Sequence, residues 1–221
     1  MDPLDRRDAA PLGPVTLAGR LVRLEPLGPG HLDGLLAAAL ETPAEDLALT
    51  TVPRDRAAVQ GWLEEALALA AAGRALPFAT LAVASGHVVG STRFGNVERW
   101  SWPDRRERRP PGGADAVEIG WTWLARRAWR TGVNTEAKLL MLRHAFTAWR
   151  VHRVQLKTDE RNQRSRSAIE RLGARFEGVL RSHMPSAGCA LRDTAFYSVV
   201  EAEWPAVEAR LEGLLRSHAR P

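Results

Sequence analysis

The 221-residue chain is 45% hydrophobic and 26% charged, ordinary values for a folded domain that exclude wholesale disorder. Its net charge of +5 comes from 29 Arg and 2 Lys against 26 acidic residues; such a surface suits an anionic ligand or acidic partner, yet no helix-turn-helix, ribonucleoprotein or zinc-finger pattern directs it at a specific nucleic-acid sequence. No apolar run approaches the ~18–20 residues of a membrane span, and the single Cys189 excludes an internal disulfide or a cysteine-rich zinc site.

Residues 1–14, MDPLDRRDAAPLGP, lack an apolar signal core and read as a flexible polar arm, with 15–221 as one domain and the cytoplasm as its expected location. Thr16–Leu27 alternates as a first strand, HLDGLLAAAL from His31 is a short helix, and Arg56–Gly73 is amphipathic, with Gly73 suited to its stop. Phe78–Ala84 and His87–Gly95 read as strands joined by a Ser85-Gly86 hairpin turn. Residues 96–115 break the pattern with RRERR and PPGG. They read as a solvated excursion or, because Trp100 and Trp102 are costly to expose, as a flap over substrate.

Then come a strand, AVEIGWTWL, a basic turn, and a helix from about Asn134 to Arg150 that is apolar almost all round. Val151–Asp159 is a strand, NQRSRSAIERLG a helix stopped at Gly173, and ARFEGVLR and TAFYSVV are strands separated by a loose loop, SHMPSAGCALRD. A final helix, WPAVEARLEGLLRSH, tolerates Pro205 in its first turn. The expected class is α+β: one mixed sheet of about seven strands with helices on both faces.

Along Val117–Leu124, simple alternation places Val117, Ile119, Trp121 and Trp123 on one side and Glu118, Gly120, Thr122 and Leu124 on the other. The chain then passes Arg127, Arg130, Thr131 and Gly132 into a helix start, where free N–H groups and a partial positive charge suit phosphate or pyrophosphate. Gly132 permits close backbone approach, and the two arginines offer charge-assisted bonds, so a phosphorylated cofactor is expected. Neither G-x-G-x-x-G nor G-x-x-x-x-G-K-[ST] occurs here.

The turn Arg127-Ala-Trp-Arg130-Thr-Gly132 resembles the pyrophosphate loop [QR]-x-x-G-x-[GA] of the GNAT superfamily of N-acetyltransferases, with Arg130 where a glycine is usual. VEIGWTWL, NTEAKLLMLRHAF, KTDERNQRSRSAIERLGARFEGVLR and RDTAFYSVVEAEWPAV look like the branch containing ribosomal-protein alanine N-acetyltransferases, over roughly residues 15–215. The resemblance implies a GNAT-like, strongly twisted sheet whose splayed central strands admit pantetheine, and acetyl-CoA as cosubstrate. Backbone N–H groups from Arg130 through Val133 to Asn134 would hold the pyrophosphate, with a hydroxyl contact from Thr131. Main-chain groups of Trp123 and Leu124 would pair with the pantetheine amides. Asn162 would lie near the pantetheine arm and Ser165 near the thioester, where a hydrogen bond assists the leaving thiolate; Asn162 also suits a helix cap.

Glu118 is the candidate base, because an attacking amine must be neutral while a lysine amine has a pKa of about 10.4 and an α-amine about 7.7–8.0. The structural alternative is a Glu118 paired with an arginine; Glu177 and Tyr197 rank second. His144 is expected in the core, His183 in a loop within reach of substrate, and Cys189 has no evident basic partner. The histidines show no metal spacing, and no metal is expected. The implied activity is acetyl transfer to a primary amine, either a protein N-terminus, such as that of a ribosomal protein, or a small molecule. A homodimer is an expectation from relatives. Two other readings stand beside it: a non-catalytic acyl-CoA-binding or regulatory protein, kept open by Arg130, and an RNA-associated factor, kept open by charge.

Overall fold

Thr16–Leu27, expected as one strand, doubles back at Gly19 into β1 (Leu17–Ala18) and β2 (Val22–Pro26). The remaining elements follow in order: α1 (Leu32–Glu41), α2 (Arg56–Ala71), β3 (Leu76–Ala82), β4 (Val88–Glu98), β5 (Ala116–Leu124), α3 (Val133–Arg143), β6 (Arg153–Asp159), α4 (Gln163–Leu172), β7 (Arg175–Pro185), β8 (Leu191–Val200) and α5 (Trp204–His218). These elements come from a computed structural model that describes residues 12–103, 113–186 and 191–218. Most of the expected arm, the RRERR segment and Cys189 lie outside the described residues.

Among the described residues the doubling-back raises the expected seven strands to eight, ordered β1-β2-β3-β4-β5-β6-β8-β7. Its cause is Glu136 in the first turn of α3. The carboxylate accepts from the amides of Arg20, Leu21 and Val22 at 3.1, 2.6 and 2.9 Å. A Cβ on Gly19 would fall 2.3 Å from Glu136 Oε2, so any larger residue there would push the carboxylate off its three amides. All strand pairs are antiparallel except β5–β6, which is parallel.

One face of the sheet carries α3, α4 and α5 over Phe78, Phe94, Val117, Ile119, Leu156 and Val199. On the other face α1 and α2 cover β3 and the end of β5, through Leu35, Val59, Leu63, Leu81 and Trp123. The helix after the basic turn ends as expected near Arg150, but its last stretch, His144–Ala148, widens into a π turn. His144 packs between Phe94 and Trp149, as a core histidine should, and burial pulls its pKa down. Among the described residues no helix is long and apolar enough to cross a membrane.

Two strands differ from simple alternation. Arg93 pairs with Gly120 and Ser91 with Trp123, so Trp121 and Thr122 together oppose Thr92, a β-bulge in which Trp121 takes φ +50°. The bulge reverses the sidedness that alternation assigns after Gly120. Trp123 joins the α1–α2 side, while Thr122 turns to α3 and meets Thr92 Oγ1 (2.8 Å) and Lys138 Nζ (2.6 Å). β7 runs on to Pro185, so His183 belongs to a strand rather than a loop; Gly178 and Ser182, at φ +149° and +48°, bend it on the way.

Candidate active site

β5 is nine residues long, yet only Ala116, Val117 and Glu118 pair with β6, opposite Arg153, Val154 and Gln155. Beyond Glu118 the two strands part, and Glu118 stands at the vertex of the opening. Gly90 lets β4 close up on β5: a Cβ there would fall 2.1 Å from Trp123 O. The Trp123 carbonyl is therefore turned to β4, and since the Trp123–Leu124 peptide is trans, the Leu124 N–H points the other way, into the opening. The Leu124 carbonyl accepts from the Trp129 indole at 2.8 Å. Of the main-chain groups expected to meet a pantetheine arm, the Leu124 N–H is thus the one turned into the opening.

The turn beyond β5 is held from two sides. Arg127 is engaged within the protein: its N–H and guanidinium bind the Glu41 carboxylate at the end of α1, and its Nη2 donates to Val88 O at 3.0 Å. Arg126 N–H donates to Thr42 Oγ1, and Arg164 of α4 stacks on Trp129 at 4.1 Å while donating to Asp46 O. In this arrangement Arg127 ties the turn to α1 and β4. Arg130, standing where the motif has glycine, adopts φ +61°, and Gly132 adopts φ +83°. The arginine follows the left-handed path a glycine would take, at a cost of roughly 1 kcal/mol.

The turn ends on the N-terminus of α3, capped by Gly132 with no side-chain bond. Glu136 N is the first amide to bond back, to Gly132 O, and among the described residues the amides of Arg130 to Thr135 meet no protein acceptor. Thr131 Oγ1 donates to Ala128 O, Val133 is buried in the core, and Asn134 Oδ1 is buried without a partner. The cluster of unpaired amides is what a bound polyphosphate chain would complete, whereas Asn134 Oδ1, itself an acceptor, calls for a donor.

Across the opening, Asn162 caps α4 by accepting from Ser165 N at 3.0 Å, and the Ser165 hydroxyl bonds to no described residue. The Arg164–Trp129 stack brings this segment against the turn. Glu118 is 2% exposed. Its Oε2 accepts from Asn96 Nδ2 (2.6 Å), Gln155 Nε2 (3.3 Å) and Lys157 Nζ (2.9 Å), while Oε1 lies over Gly120 with no described donor. Its cationic partner is thus a lysine, where the structural alternative expected an arginine. Among the described residues no hydrogen bond links Glu118 to Ser165 or to the turn.

Of the second-rank bases, Glu177 is held by Arg153, the main cause of its lowered pKa, and also by Ser198. The Tyr197 hydroxyl faces α4, bonded to Arg166 and Glu170, and burial raises its pKa. Both are committed elsewhere. His183 sits near Lys157 and Glu118; burial first, then Lys157 and Arg192, lower its pKa and favour the neutral ring. Trp100 and Trp102 pack around His152 and bond Asp115 at the start of β5, the end away from the opening. Asn96, Gln155 and Lys157 escaped the sequence reading, although Gln155 and Lys157 alternate with Val154 and Leu156 in VHRVQLKTD, a visible polar stripe.

A cavity of about 500 Å³ lies elsewhere, between the β1–β2 turn, α3 and α5, bordered by Arg143 and Glu212. Its lining shares no residue with the opening. Among the described residues no group of His, Cys, Asp or Glu could hold a metal.

The sequence signature of the acetyltransferase (GNAT) domain matches residues 21–175. A GCN5-related N-acetyltransferase from Brucella melitensis is 33% identical, with 91% of this chain and 85% of that one covered and a TM-score of 0.76. Mycobacterium smegmatis RimJ, solved with CoA-disulfide, superposes with a TM-score of 0.76 at 24% identity over 94% of this chain and 98% of its own. RimL, a ribosomal L7/L12 alpha-N-protein acetyltransferase solved with CoA, does so at 0.68 and 16% over 85% and 99%. These last two show the fold alone. A search among curated proteins returns no match. The splayed strands, the left-handed turn and this match over most of the chain have one reading: the protein belongs to the GNAT family of acetyltransferases.

Proposed function

We propose that the protein is an acetyl-CoA-dependent N-acetyltransferase that acetylates a primary amine by direct attack in a ternary complex. One observation carries this reading: Glu118 stands where β5 and β6 part, and the far end of the opening is lined by the unpaired amides of Arg130 to Thr135. Those amides, with the α3 N-terminus, would hold the pyrophosphate, and the Leu124 N–H would meet the pantetheine arm. Acetyl-CoA supplies an already activated acyl group, so the chain's work is positioning and proton handling.

Glu118 Oε1 is the free acceptor at the vertex. It attracts the incoming ammonium and takes its proton, directly or through water, while the three donors on Oε2 fix the carboxylate in place. The amine nitrogen bonds the acetyl carbon and the C–S bond breaks; the second proton that the nitrogen sheds passes to the departing sulfur, so that CoA leaves as the thiol, with the Ser165 hydroxyl as the proposed relay. RimL's α-amine substrate favours a protein N-terminus, ribosomal proteins included, and small-molecule amines are the second acceptor class. The non-catalytic alternative drew on Arg130, which keeps the glycine-like path and so lends it no support.

The test is calorimetric titration with acetyl-CoA, CoA and ATP, followed by turnover on amine acceptors by the wild type and Glu118→Gln. Selective binding of both CoA species and a kcat about 100-fold lower in the variant are expected. Failure of the wild type to bind either CoA species sinks the reading.

A further inference from the structure

Arg93 lies on β4 with its backbone opposite Gly120, on the sheet face that carries Glu118. It is 3% exposed. Its guanidinium is sandwiched between Trp62 of α2 at 5.5 Å and Trp121 of the bulge at 4.9 Å, and Trp62 packs edge-on against Trp123. Nε is buried with no partner, and no hydrogen bond or ion pair from the terminal nitrogens reaches any described residue. Glu65, on α2, acts on it electrostatically without coming within ion-pair distance. Burial is the largest influence on this group and disfavours its charge.

A buried cation with no anion is unstable in a way that two indole faces repair only in part. Guanidinium is the side chain best shaped to grip a carboxylate by two parallel bonds. Trp121, on strained backbone at φ +50° and 41% exposed, roofs this cation from the solvent side. Its ring lies over Gly95, where a Cβ would come within 2.6 Å. Gly95 is in turn the strand partner of Glu118. Arg93 and the residue facing Glu118 are two positions apart on one strand, about 7 Å. The Glu118 charge is already matched by Lys157; the Arg93 charge is not.

We propose that Arg93 is the specificity-determining residue of the acceptor site, and that the acceptor amine carries a carboxylate, several bonds away, that seats on the guanidinium between Trp62 and Trp121. This rests on the transferase reading above. The carboxylate can belong to a free amino acid or to an acidic side chain next to a peptide N-terminus; the recognition chemistry is the same.

Two measurements keep this inference separable from the transferase reading. In the first, acetyl transfer by the full chain is compared on 4-aminobutyrate and 4-aminobutanamide, and on the peptides Ala-Glu-Ala-amide and Ala-Gln-Ala-amide. The carboxylate member is expected to win by about tenfold or more in kcat/KM, mainly through KM, in whichever pair matches the natural source. Arg93→Met collapses that preference to about twofold or less, and Arg93→Lys retains part of it. Equal use of both members by the wild type, or equal losses on both in Arg93→Met, overturns the assignment of Arg93 while leaving amine acetylation intact.

The second measurement needs no turnover: chemical-shift titration of the labelled protein with glutarate and with glutaramide. Shifts near Trp62 and Trp121 with glutarate alone, absent in a folded Arg93→Met, support the anion site even if no amine is acetylated. No glutarate-specific shift in the wild type overturns it.

Discussion

Each face of the sheet buries a carboxylate, and the two are satisfied by different kinds of partner. On the α3 side, Glu136 takes three backbone amides from one tight turn, shared over both oxygens. On the open side, Glu118 takes three side-chain donors on a single oxygen and leaves the other over a glycine. Backbone partners belong to the fold and lock a local path; side-chain partners fix an orientation while keeping one lone-pair site for a guest. The same contrast holds for the buried basic groups. Lys138 bonds two threonine hydroxyls on the α3 side, whereas Arg93 on the other side lies between indole faces, with Glu65 acting on it only from beyond ion-pair distance.

The sharpest way to break this comparison is Glu136→Ala. It leaves three turn amides without an acceptor and is expected to cost about 3–5 kcal/mol in urea unfolding. A loss below about 1 kcal/mol would show that the turn holds without its carboxylate. Next is Gly132→Asp, which forces a side chain onto φ +83° and sets a negative charge among the amides of the α3 N-terminus. CoA affinity should fall on the order of 100-fold, about 2.7 kcal/mol, by calorimetry.

Lys138→Met probes the α3-side cation through pH. Burial brings the Lys138 pKa down to about 7, against 10.5 for a free lysine. Between those values the unfolded chain binds more protons than the folded one, so stability rises with pH, by up to about 1.4 kcal/mol per unit, and is lost again as pH falls toward 7. The variant should be the more stable protein at pH 7 and should lose that slope in melts from pH 7 to 10. The smallest effect is expected from Arg130→Gly, which relieves the left-handed strain and should stabilise by about 1 kcal/mol, with CoA binding changed less than about threefold.

The order of elements was legible because the chain's periodicities are strong where elements are buried on one side. The turn was legible too, because glycine before an apolar helix has few other uses. What escaped has identifiable causes. The bulge at Trp121–Thr122 adds one residue without changing composition, and it inverts the sidedness of everything after it. β7 is an edge strand with mostly exposed or half-buried residues, so His183 lacked the alternation that marks a strand. Arg127 fits the motif by spacing, yet its partner Glu41 lies 86 residues away, beyond any local pattern. Arg93 stood in plain sight within STRFG, but nothing local said that its cation would be left without an anion.

The three residue pairs that join β5 to β6 have a consequence for how the molecule comes apart. Five strands lie on one side of this seam and three on the other, and past Glu118 no strand ladder crosses it. A ligand that fills the gap with main-chain hydrogen bonds would splice the halves into one cooperative unit. Hydrogen exchange should then slow on both sides of the seam at once when CoA is added, and calorimetric unfolding should sharpen as well as shift upward.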